Sequence, residues 1–298
     1  MNKQIELSIV TINYNGLDDT LELISSLREN LTMPYEMIVV DNASMNDEIS
    51  IINRIAPECI TIANGQNMGF SGGNNAGIRV ATGHYILMLN NDTIVKDSSI
   101  QELITFMDAN PQIGGVSPKL LYADATNIVQ YAGATQLSAI TLRNQTIGQG
   151  EVDKGQYDEC RKTSFLHGAA MMIRREAIEK AGLMPEIFFL YYEEIDWSTQ
   201  IEKCGFELWY HPVCAIYHKE SRSVGNESAL KIYYMTRNRL LYAWRNRTGL
   251  VKISSFLYLF GIASTKNVMK YFFAKNWNLL KAVVCGSFAF VTLKNKLS

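Results

Sequence analysis

The chain lacks the cysteine pattern of a disulfide scaffold. It has five cysteines among 298 residues and no C-x-x-C pair, and an odd number of scattered cysteines predicts free thiols in a reducing compartment. The first residues, MNKQIELSIVTINYN, lead directly into a predicted strand, so we expect no signal peptide. Both absences favour a cytoplasmic location.

Three common motifs of nucleotide sites and hydrolases are also missing. A dinucleotide site would show G-x-G-x-x-G after the first strand, whereas this chain has N-Y-N-G at residues 13–16. The sequence contains no P-loop G-x-x-x-x-G-K-[ST] and no G-x-S-x-G nucleophile elbow. NAD chemistry, P-loop hydrolysis of nucleoside triphosphates and α/β-hydrolase activity are therefore disfavoured.

Acidic residues are absent after Glu227, although the net charge of the chain is only −1. Residues 228–298 carry twelve lysines and arginines, which leaves a net charge of −13 for the first 227 residues. This asymmetry indicates that the tail meets something anionic, either membrane or nucleic acid. The acidic first 227 residues would repel a phosphate backbone, so no nucleic-acid partner is expected.

The apolar runs of this tail are too short for a membrane-spanning helix, or are interrupted by Lys281. Basic amphipathic helices with Phe, Trp and Leu lie on anionic membrane surfaces. The tail therefore predicts peripheral attachment to a membrane. The alternative is a helical subdomain that packs on the rest of the chain or on a dimer partner.

What the sequence does contain fits a globular α/β protein. Apolar residues make up 47% of the chain, enough for a sizeable core. Strand patterns with polar ends alternate with helical patterns, which predicts a doubly wound, mostly parallel sheet flanked by helices, with a C-terminal helical extension. One helix is expected from a cap at Asp18 or Asp19 to Asn30, whereas residues 120–163 show no regular pattern. Strands are expected at residues 5–12, 35–40, 59–63, 85–89, 165–173 and 206–217.

The stretch HYILMLNNDT, residues 84–93, is the centre of the predicted site. Tyr85–Leu89 is almost continuously apolar, as expected of a central strand covered on both faces. Asn90, Asn91 and Asp92 follow at its carboxyl end, where open α/β sheets place their ligands. Asp92 could hold a divalent cation through its oxygens. The alternative is an ordinary turn.

Two further groups follow the second and third predicted strands. Asp41 could accept the N3–H of uracil or thymine, or it could simply cap the next helix. Asn67 and Gly69 lie in a glycine-rich loop. Because glycine lacks Cβ, such a loop can bring backbone N–H groups close to a phosphate or ribose. The alternative is a glycine-rich turn without a ligand.

The remaining candidates are an acidic cluster and one histidine. Glu193, Glu194 and Asp196 follow the apolar run FFLYY, so we expect partial burial, and a partly buried Glu with a raised pKa suits a general base. Acidic residues also favour the first turn of a helix without any further role. His218 follows a strand and precedes a loop with Ser, Gly and Arg, so it is a candidate metal ligand or a structural residue at a strand end.

Taken in this order, the pieces resemble the inverting glycosyltransferases of family 2, which have the GT-A fold. The resemblance covers about residues 5–245, and its ending, YYMTRNRLLY, is similar to that of bacterial rhamnosyltransferases and related cell-surface polysaccharide enzymes. The segments that carry it are VTINYNG (10–16), VVDNAS (39–44), NGQNMGFSGGNNAGI (64–78), LNNDT (89–93), FLHGAAMMIRREA (165–177), FFLYYEEIDW (188–197) and YHKESRSVG (217–225).

The resemblance implies roles for particular residues. The family's Asp-x-Asp metal motif falls on residues 90–92, where only Asp92 keeps a carboxylate, and its additional metal ligand falls on His218. The implied cofactor is Mn²⁺ or Mg²⁺. The position of the catalytic base falls on Glu194, with Asp196 as the fallback. The expected nucleotide-sugar contacts are Thr11, Asn13, Asn15, Asp41, Asn67, Gly69, Asn90, Asn91 and Asp92.

The implied activity is inverting transfer of a sugar, from dTDP-rhamnose or a UDP-sugar, to a hydroxyl of a glycan or lipid-linked acceptor in cell-surface polysaccharide synthesis. Residues 1–227 would form the catalytic domain, with a nucleotide-sugar half at 1–118 and an acceptor half at 119–227. Residues 228–298 would hold the enzyme at the cytoplasmic face of the membrane or form a homodimer.

Two other functions remain open. A sugar-nucleotide pyrophosphorylase would carry a glycine-rich loop with Arg and Lys after the first strand, which N-Y-N-G does not match. A degenerate, non-catalytic module that binds nucleotide-sugar or recruits a partner would account for the missing first Asp of the metal motif.

Overall fold

The computed structural model describes residues 5–220 and 228–294. These residues form two compact units. The first comprises residues 5–135, 145–189 and 193–220, and the second comprises residues 136–144, 190–192 and 228–294. The predicted domain boundary at residue 227 and most of the segment that follows His218 lie outside the described residues.

A ten-stranded sheet is the framework of the first unit. Its strands are β1 (Leu7–Asn13), β2 (Tyr35–Asp41), β3 (Ile60–Ala63), β4 (Tyr85–Leu89), β5 (Thr93–Val95), β6 (Ile113–Tyr122), β7 (Ala125–Tyr131), β8 (Arg161–Lys162), β9 (Ala170–Arg174) and β10 (Glu207–His218). The spatial order is β3-β2-β1-β4-β9-β6-β10-β5, with β7 beside β6 and β8 beside β10. Six strands (β1 to β4, β6 and β10) run in one direction, which confirms the mostly parallel sheet.

Helices flank this sheet, as predicted. They are α1 (Leu17–Asn30), α2 (Glu48–Ile55), α3 (Gly69–Val80), α4 (Ile100–Ala109), α5 (Arg175–Ala181) and α6 (Glu193–Lys203). Val10 and Met88 of the sheet share a buried core with Trp197 of α6. A Cβ at Gly77 would lie only 2.4 Å from Val10 Cγ1, so a glycine at this position lets α3 pack closely against β1.

The strand at Tyr85–Leu89 is confirmed, whereas three other predicted details are wrong. Helix α1 begins at Leu17 with Gly16 as its N-cap, and neither Asp18 nor Asp19 caps it. The strand expected at 165–173 begins only at Ala170. Residues 120–163, expected to be irregular, include the end of β6 and all of β7 and β8. Glycines and a proline within β6 interrupt the apolar pattern by which a strand is recognised.

Strand β10 contains an irregularity that sets the position of its end. It pairs in parallel with β6, and the register shifts between His211, which is opposite Pro118, and Ala215, which is opposite Lys119. Residues 212–214 therefore form a bulge. Beyond the bulge, β10 also pairs with β5 in the antiparallel sense, with His218 opposite Thr93.

The second unit is helical, which confirms the predicted C-terminal helices. It contains α7 (Ala229–Asn246), α8 (Gly249–Phe256), α9 (Ser264–Phe273) and α10 (Trp277–Lys294), and a π-helical segment, Leu257–Ala263, joins α8 to α9. A small core of Tyr271, Leu279 and Val283 connects α9 to α10. In the described part of the chain, no helix combines the length and the apolar character that crossing a bilayer requires.

Candidate active site

Predicted site residues that end or follow β1, β2 and β4 lie at one edge of the sheet. β1 is parallel to both β2 and β4, so Asn13, Asp41 and Leu89 end neighbouring strands on the same side. Asn90 and Asp92 follow Leu89 directly. The carboxyl ends of parallel strands are the usual place for a ligand in such sheets.

Asp92 and His218 meet at this edge although 126 positions separate them in the chain. The pairing of β5 with β10 brings them together, and Asp92 Oδ1 lies 3.1 Å from His218 Nε2. Both residues are buried, with 4% and 6% of their surface exposed. A carboxylate and an imidazole at this separation are two suitable protein ligands for a divalent cation.

Gln130 determines which nitrogen of His218 faces Asp92. Its Oε1 lies 2.9 Å from His218 Nδ1, and this contact is buried. An amide oxygen only accepts hydrogen bonds, so Nδ1 carries the hydrogen. In the neutral ring the lone pair then lies on Nε2, on the side of Asp92. A second hydrogen bond of this kind is what commonly orients a metal-binding histidine.

Only two such side chains come together here. Within residues 5–220 and 228–294, no group of three or more His, Cys, Asp or Glu side chains is arranged to hold a metal ion. Two protein ligands suit a cation such as Mg²⁺, which commonly takes its other ligands from substrate phosphates and water. The residues present therefore fit a metal shared with a diphosphate.

The two asparagines of the strand tip have different neighbours. Asn90 Nδ2 lies 3.5 Å from His218 Nε2, at the limit of a hydrogen bond. Asn91 Nδ2 donates to the Gly16 carbonyl at 3.2 Å and to Thr20 Oγ1 at 3.1 Å. Asn91 therefore joins the tip of β4 to the start of α1.

Asp41 belongs to a buried hydrogen-bond network with Asn13. The Asn13 amide Nδ2 lies 2.8 Å from Asp41 Oδ1 and 2.6 Å from Glu48 Oε2, and Thr20 donates to Asn13 Oδ1. Asp41 Oδ2 accepts the backbone N–H of Ser44 at 3.0 Å. These bonds fix the carboxylate in one orientation. Each carboxylate oxygen can accept two hydrogen bonds, so Oδ2 keeps one acceptor position for a ligand.

Thr11 and Asn15 flank this network along the chain. Thr11 lies two residues before Asn13, on the same face of β1. It is completely buried, and its Oγ1 has no hydrogen-bond partner among the residues that the structure describes. Asn15 has a left-handed backbone (φ 52°), and its Oδ1 accepts the N–H of Met45 at 2.8 Å. Asn15 therefore holds the loop after β2 against the loop after β1.

Asn42, which the sequence did not single out, organises the loop that contains Asn67 and Gly69. Its Nδ2 donates to Asn67 Oδ1 at 3.0 Å and to the Gly69 carbonyl at 3.1 Å. Its Oδ1 accepts the N–H of Met68 at 3.0 Å. Gly69 has a φ of 69°, and a Cβ there would lie 2.2 Å from the Phe189 carbonyl oxygen. Only glycine meets both conditions, so this loop can approach the segment that leads to α6.

The acidic cluster opens α6 and is partly buried, as predicted. Glu193 is 3% exposed and Asp196 is completely buried, whereas Glu194 is only partly buried. A general base has to come within hydrogen-bond reach of its substrate. Accessibility therefore favours Glu194 over Asp196 for that role.

The backbone around this cluster is held from α3. Asn75 donates to the Met184 carbonyl at 2.8 Å and to Glu186 Oε1 at 2.9 Å, and it accepts the Met184 N–H at 3.0 Å. Phe189, Tyr191 and Tyr192 then adopt positive φ values of 65°, 66° and 75°. Such backbone is unfavourable for residues other than glycine and is often found at functional sites.

A loop between β8 and β9 lies beside His218. Ser198 of α6 accepts the N–H of Leu166 at 3.1 Å, and the His167 ring centroid lies 6.4 Å from that of His218. Burial, and to a smaller extent the neighbouring His218, lower the pKa of His167 to about 3, so this ring is neutral near pH 7. The loop thus bonds to α6 at Leu166 and places an uncharged ring beside His218 at the next residue.

Three residues of this site were not predicted. Asn42 had a local signal, because it is a polar residue at a strand end beside Asp41. Asn75 had only the signal of an amide within a glycine-rich helix. Gln130 had none, since it lies 88 positions before its partner His218 in a segment without a recognisable pattern.

Comparisons with known proteins agree with this geometry. The chain is 28% identical over 242 residues to the low-salt glycan biosynthesis hexosyltransferase Agl10 of Haloferax volcanii, covering 79% of this chain and 75% of that protein. It is 26% identical over 266 residues to the dTDP-rhamnosyl transferase RfbF of Shigella flexneri, covering 84% and 83%.

A solved structure supports the fold. The crystal structure of GalNAc-T7 with UDP, GalNAc and Mn²⁺ aligns with a TM-score of 0.63 at 15% identity, over 90% of this chain and 58% of that chain, so the match spans little more than half of GalNAc-T7. The two proteins share the GT-A type of α/β fold. The model of the family described as glycosyl transferase family 2 matches residues 8–182, more than half of the chain. The chain belongs to glycosyl transferase family 2.

Proposed function

We propose that this protein transfers a sugar from a nucleotide diphospho-sugar to a hydroxyl of a glycan or lipid-linked acceptor, with inversion at the anomeric carbon. The Asp92–His218 pair, 3.1 Å apart at the sheet edge that also holds Asp41, carries this proposal. The dTDP-rhamnosyl transferase among its relatives favours dTDP-rhamnose as donor, with a UDP-sugar as the alternative. The glycan-biosynthesis hexosyltransferase among them favours the synthesis of a cell-surface polysaccharide.

The donor would lie across the strand ends, with its pyrimidine at Asp41. Oδ2 of Asp41 is the acceptor for the base N3–H, and the network with Asn13 and Ser44 holds that oxygen in place. Asp92 and His218 would hold a divalent cation, Mn²⁺ or Mg²⁺, which when bound neutralises charge on the diphosphate.

Glu194 is the base in this proposal. It accepts the proton of the acceptor hydroxyl, and the hydroxyl oxygen forms a bond to the anomeric carbon on the face opposite the diphosphate. The bond between that carbon and the diphosphate oxygen breaks, and its electron pair leaves with the nucleoside diphosphate. One displacement inverts the configuration, and no enzyme nucleophile is required.

The decisive measurement is release of UDP or dTDP from a panel of nucleotide sugars. Each sugar is incubated with the protein and a cell extract that supplies the acceptor, with and without Mn²⁺. Wild-type protein should release one nucleotide only when metal is present. Glu194→Gln should lower turnover about 10²- to 10⁴-fold, the usual effect of losing a general base, and should keep nucleotide affinity. Glu179→Gln, an exposed glutamate on α5, is the matched control.

The outcomes separate the competing functions. Turnover of Glu194→Gln equal to that of wild type would remove the role given to Glu194. Tight nucleotide binding without release from any donor would instead favour a non-catalytic module, for which the single carboxylate of residues 90–92 is the supporting observation.

The proposal includes a location. We place the protein at the cytoplasmic face of a membrane, attached by residues 228–298, where it would meet a lipid-linked acceptor. The supporting observation is the charge of that segment, which has twelve basic residues and no acidic one.

A further inference from the structure

The turn between α9 and α10 presents three aromatic rings on the surface of the second unit. Phe272, Phe273 and Trp277 are 53%, 74% and 59% exposed. The ring centroid of Phe272 lies 5.7 Å from that of Phe273 and 5.6 Å from that of Trp277, so the three form one cluster. Soluble proteins rarely expose a contiguous apolar cluster of this kind unless it binds something.

The turn holds these rings outward in a fixed geometry. The Asn276 N–H donates to the Tyr271 carbonyl at 2.9 Å, and the Lys275 N–H donates to the Phe272 carbonyl at 3.0 Å. This pair of bonds is the Schellman ending of a helix. Asn276 Oδ1 then accepts the N–H of Leu279 at 3.2 Å and starts α10. Below the turn, Tyr271 and Leu279 are buried together.

Lys275 occupies a position that normally belongs to glycine. Its φ is +53°, and the residue at this point of a Schellman ending adopts the left-handed conformation that side chains disfavour. A lysine at this position therefore costs folding free energy relative to glycine. Lys275 and the nearby Lys270 are both exposed, which places two positive charges beside the aromatic cluster.

The charge around the turn selects the kind of partner. From residue 228 onward the chain has no Asp or Glu, so the side chains of this segment carry positive charge only. A second copy that docked through the same face would bring like charges together. A bilayer with anionic headgroups offers negative charge for the lysines and an apolar boundary for Phe and Trp.

We infer that residues 270–277, here termed the aromatic tip, insert into the headgroup region of an anionic lipid bilayer. The lysines contact lipid phosphates while Phe272, Phe273 and Trp277 enter the boundary with the acyl chains. The inference deepens the membrane attachment proposed above and is independent of the transfer chemistry, because its test contains no sugar nucleotide.

The test is flotation of the full-length protein with vesicles of phosphatidylcholine alone or with 30% phosphatidylglycerol. Wild type should float only with the anionic vesicles, and less in 0.5 M salt. Phe273→Ser should weaken binding about tenfold or more, as expected for loss of a buried aromatic side chain. Ile55→Ser, a 47% exposed apolar residue at the end of α2, should bind like wild type.

Lys275→Gly separates a membrane role from a structural one. Glycine removes the left-handed strain, so the melting temperature should rise, whereas loss of one positive charge should weaken vesicle binding about fivefold. A more stable protein that binds vesicles less well is not expected from damage to the fold. Thermal unfolding and flotation of the same sample give both readouts.

Three results would overturn the inference. If wild type floats but Phe273→Ser and Lys275→Gly float equally well, the aromatic tip is not the contact. If wild type fails to float with anionic vesicles, the membrane attachment itself is wrong, and the proposed glycosyl transfer is unaffected. Self-association that depends on Phe273 in the absence of lipid would assign the tip to a second copy.

Discussion

Asp41 and Asp92 follow two strands that end at the same sheet edge, yet their surroundings differ. Asp41 is bound to neighbours no more than 28 positions away, and both of its oxygens accept hydrogen bonds. Asp92 instead faces the lone-pair nitrogen of a histidine 126 positions later in the chain. The difference suggests a division of labour in which Asp41 recognises a base in a prebuilt frame and Asp92 completes a site for a cation.

Removing the charge of Asp92 should have the largest effect. Asp92→Asn keeps the shape of the side chain but loses the anionic ligand, so turnover should fall at least about 10²-fold at fixed Mn²⁺ concentration. Nucleoside affinity should not change. Nucleotide-release assays and Mn²⁺ titration by electron paramagnetic resonance measure the two effects, with Asp124→Asn in the exposed turn after β6 as control. If Asp92→Asn is fully active without metal, the proposed division of roles between Asp41 and Asp92 is wrong.

Gln130 gives a sharper test, because it touches neither metal nor substrate in this arrangement. Gln130→Leu removes the acceptor for His218 Nδ1, and the affinity for Mn²⁺ should fall about 10- to 100-fold, as for other partners of metal-binding histidines. Gln130→Glu retains an acceptor oxygen and should bind Mn²⁺ nearly as well as wild type. If both variants lose Mn²⁺ affinity equally, Gln130 has a packing role and does not orient the His218 imidazole.

Asp41→Asn should produce a smaller change of a different kind. Loss of a charge-assisted hydrogen bond to the base should weaken uridine or thymidine binding about tenfold. The affinity for Mn²⁺ in the presence of pyrophosphate should stay as in wild type. Calorimetric titration with nucleoside and nucleoside diphosphate distinguishes the two aspartates, since Asp92→Asn should affect only the diphosphate form. If Asp41→Asn weakens binding of the nucleoside diphosphate but not of the nucleoside, the role proposed for Asp41 is wrong.

The rigidity of the loop that Asn42 organises next to Asp41 can be tested with substitutions at two of its glycines. Gly69→Ala would force a side chain into left-handed backbone and against the Phe189 carbonyl, and should cost about 2 kcal/mol of unfolding free energy. Gly65→Ala meets no atom within 4 Å and should be nearly neutral. Denaturant unfolding compares them. Similar stability of both variants would show that the loop is not a rigid part of the frame.

Features that depend on neighbouring residues in the chain could be predicted from the sequence, whereas features that depend on residues far apart in the chain could not. The strand Tyr85–Leu89 is visible because its apolar run is local, and the polar residues after it mark the sheet edge directly. β6 was missed because Gly114, Gly115 and Pro118 interrupt its pattern, although neighbouring strands satisfy its backbone.

The site shows the same limit. Asp92, His218 and Glu194 were chosen because their motifs resemble those of a family, and their roles remain predictions. The contact between Gln130 and His218 depends on β7 and β10 each pairing with β6. No property of a short segment encodes such a contact, so Gln130 could be found only in the folded chain.

The bulge at residues 212–214 has a consequence for changes in chain length. Side chains of a strand alternate between its two faces, and the pairing of His218 with Tyr122 and Thr93 sets which face the imidazole occupies. If deletion of one bulge residue made the end of β10 slip by one position against β5 and β6, His218 would turn to the opposite face. A single-codon deletion with that result would dismantle the Asp92–His218 pair while leaving both residues in the sequence.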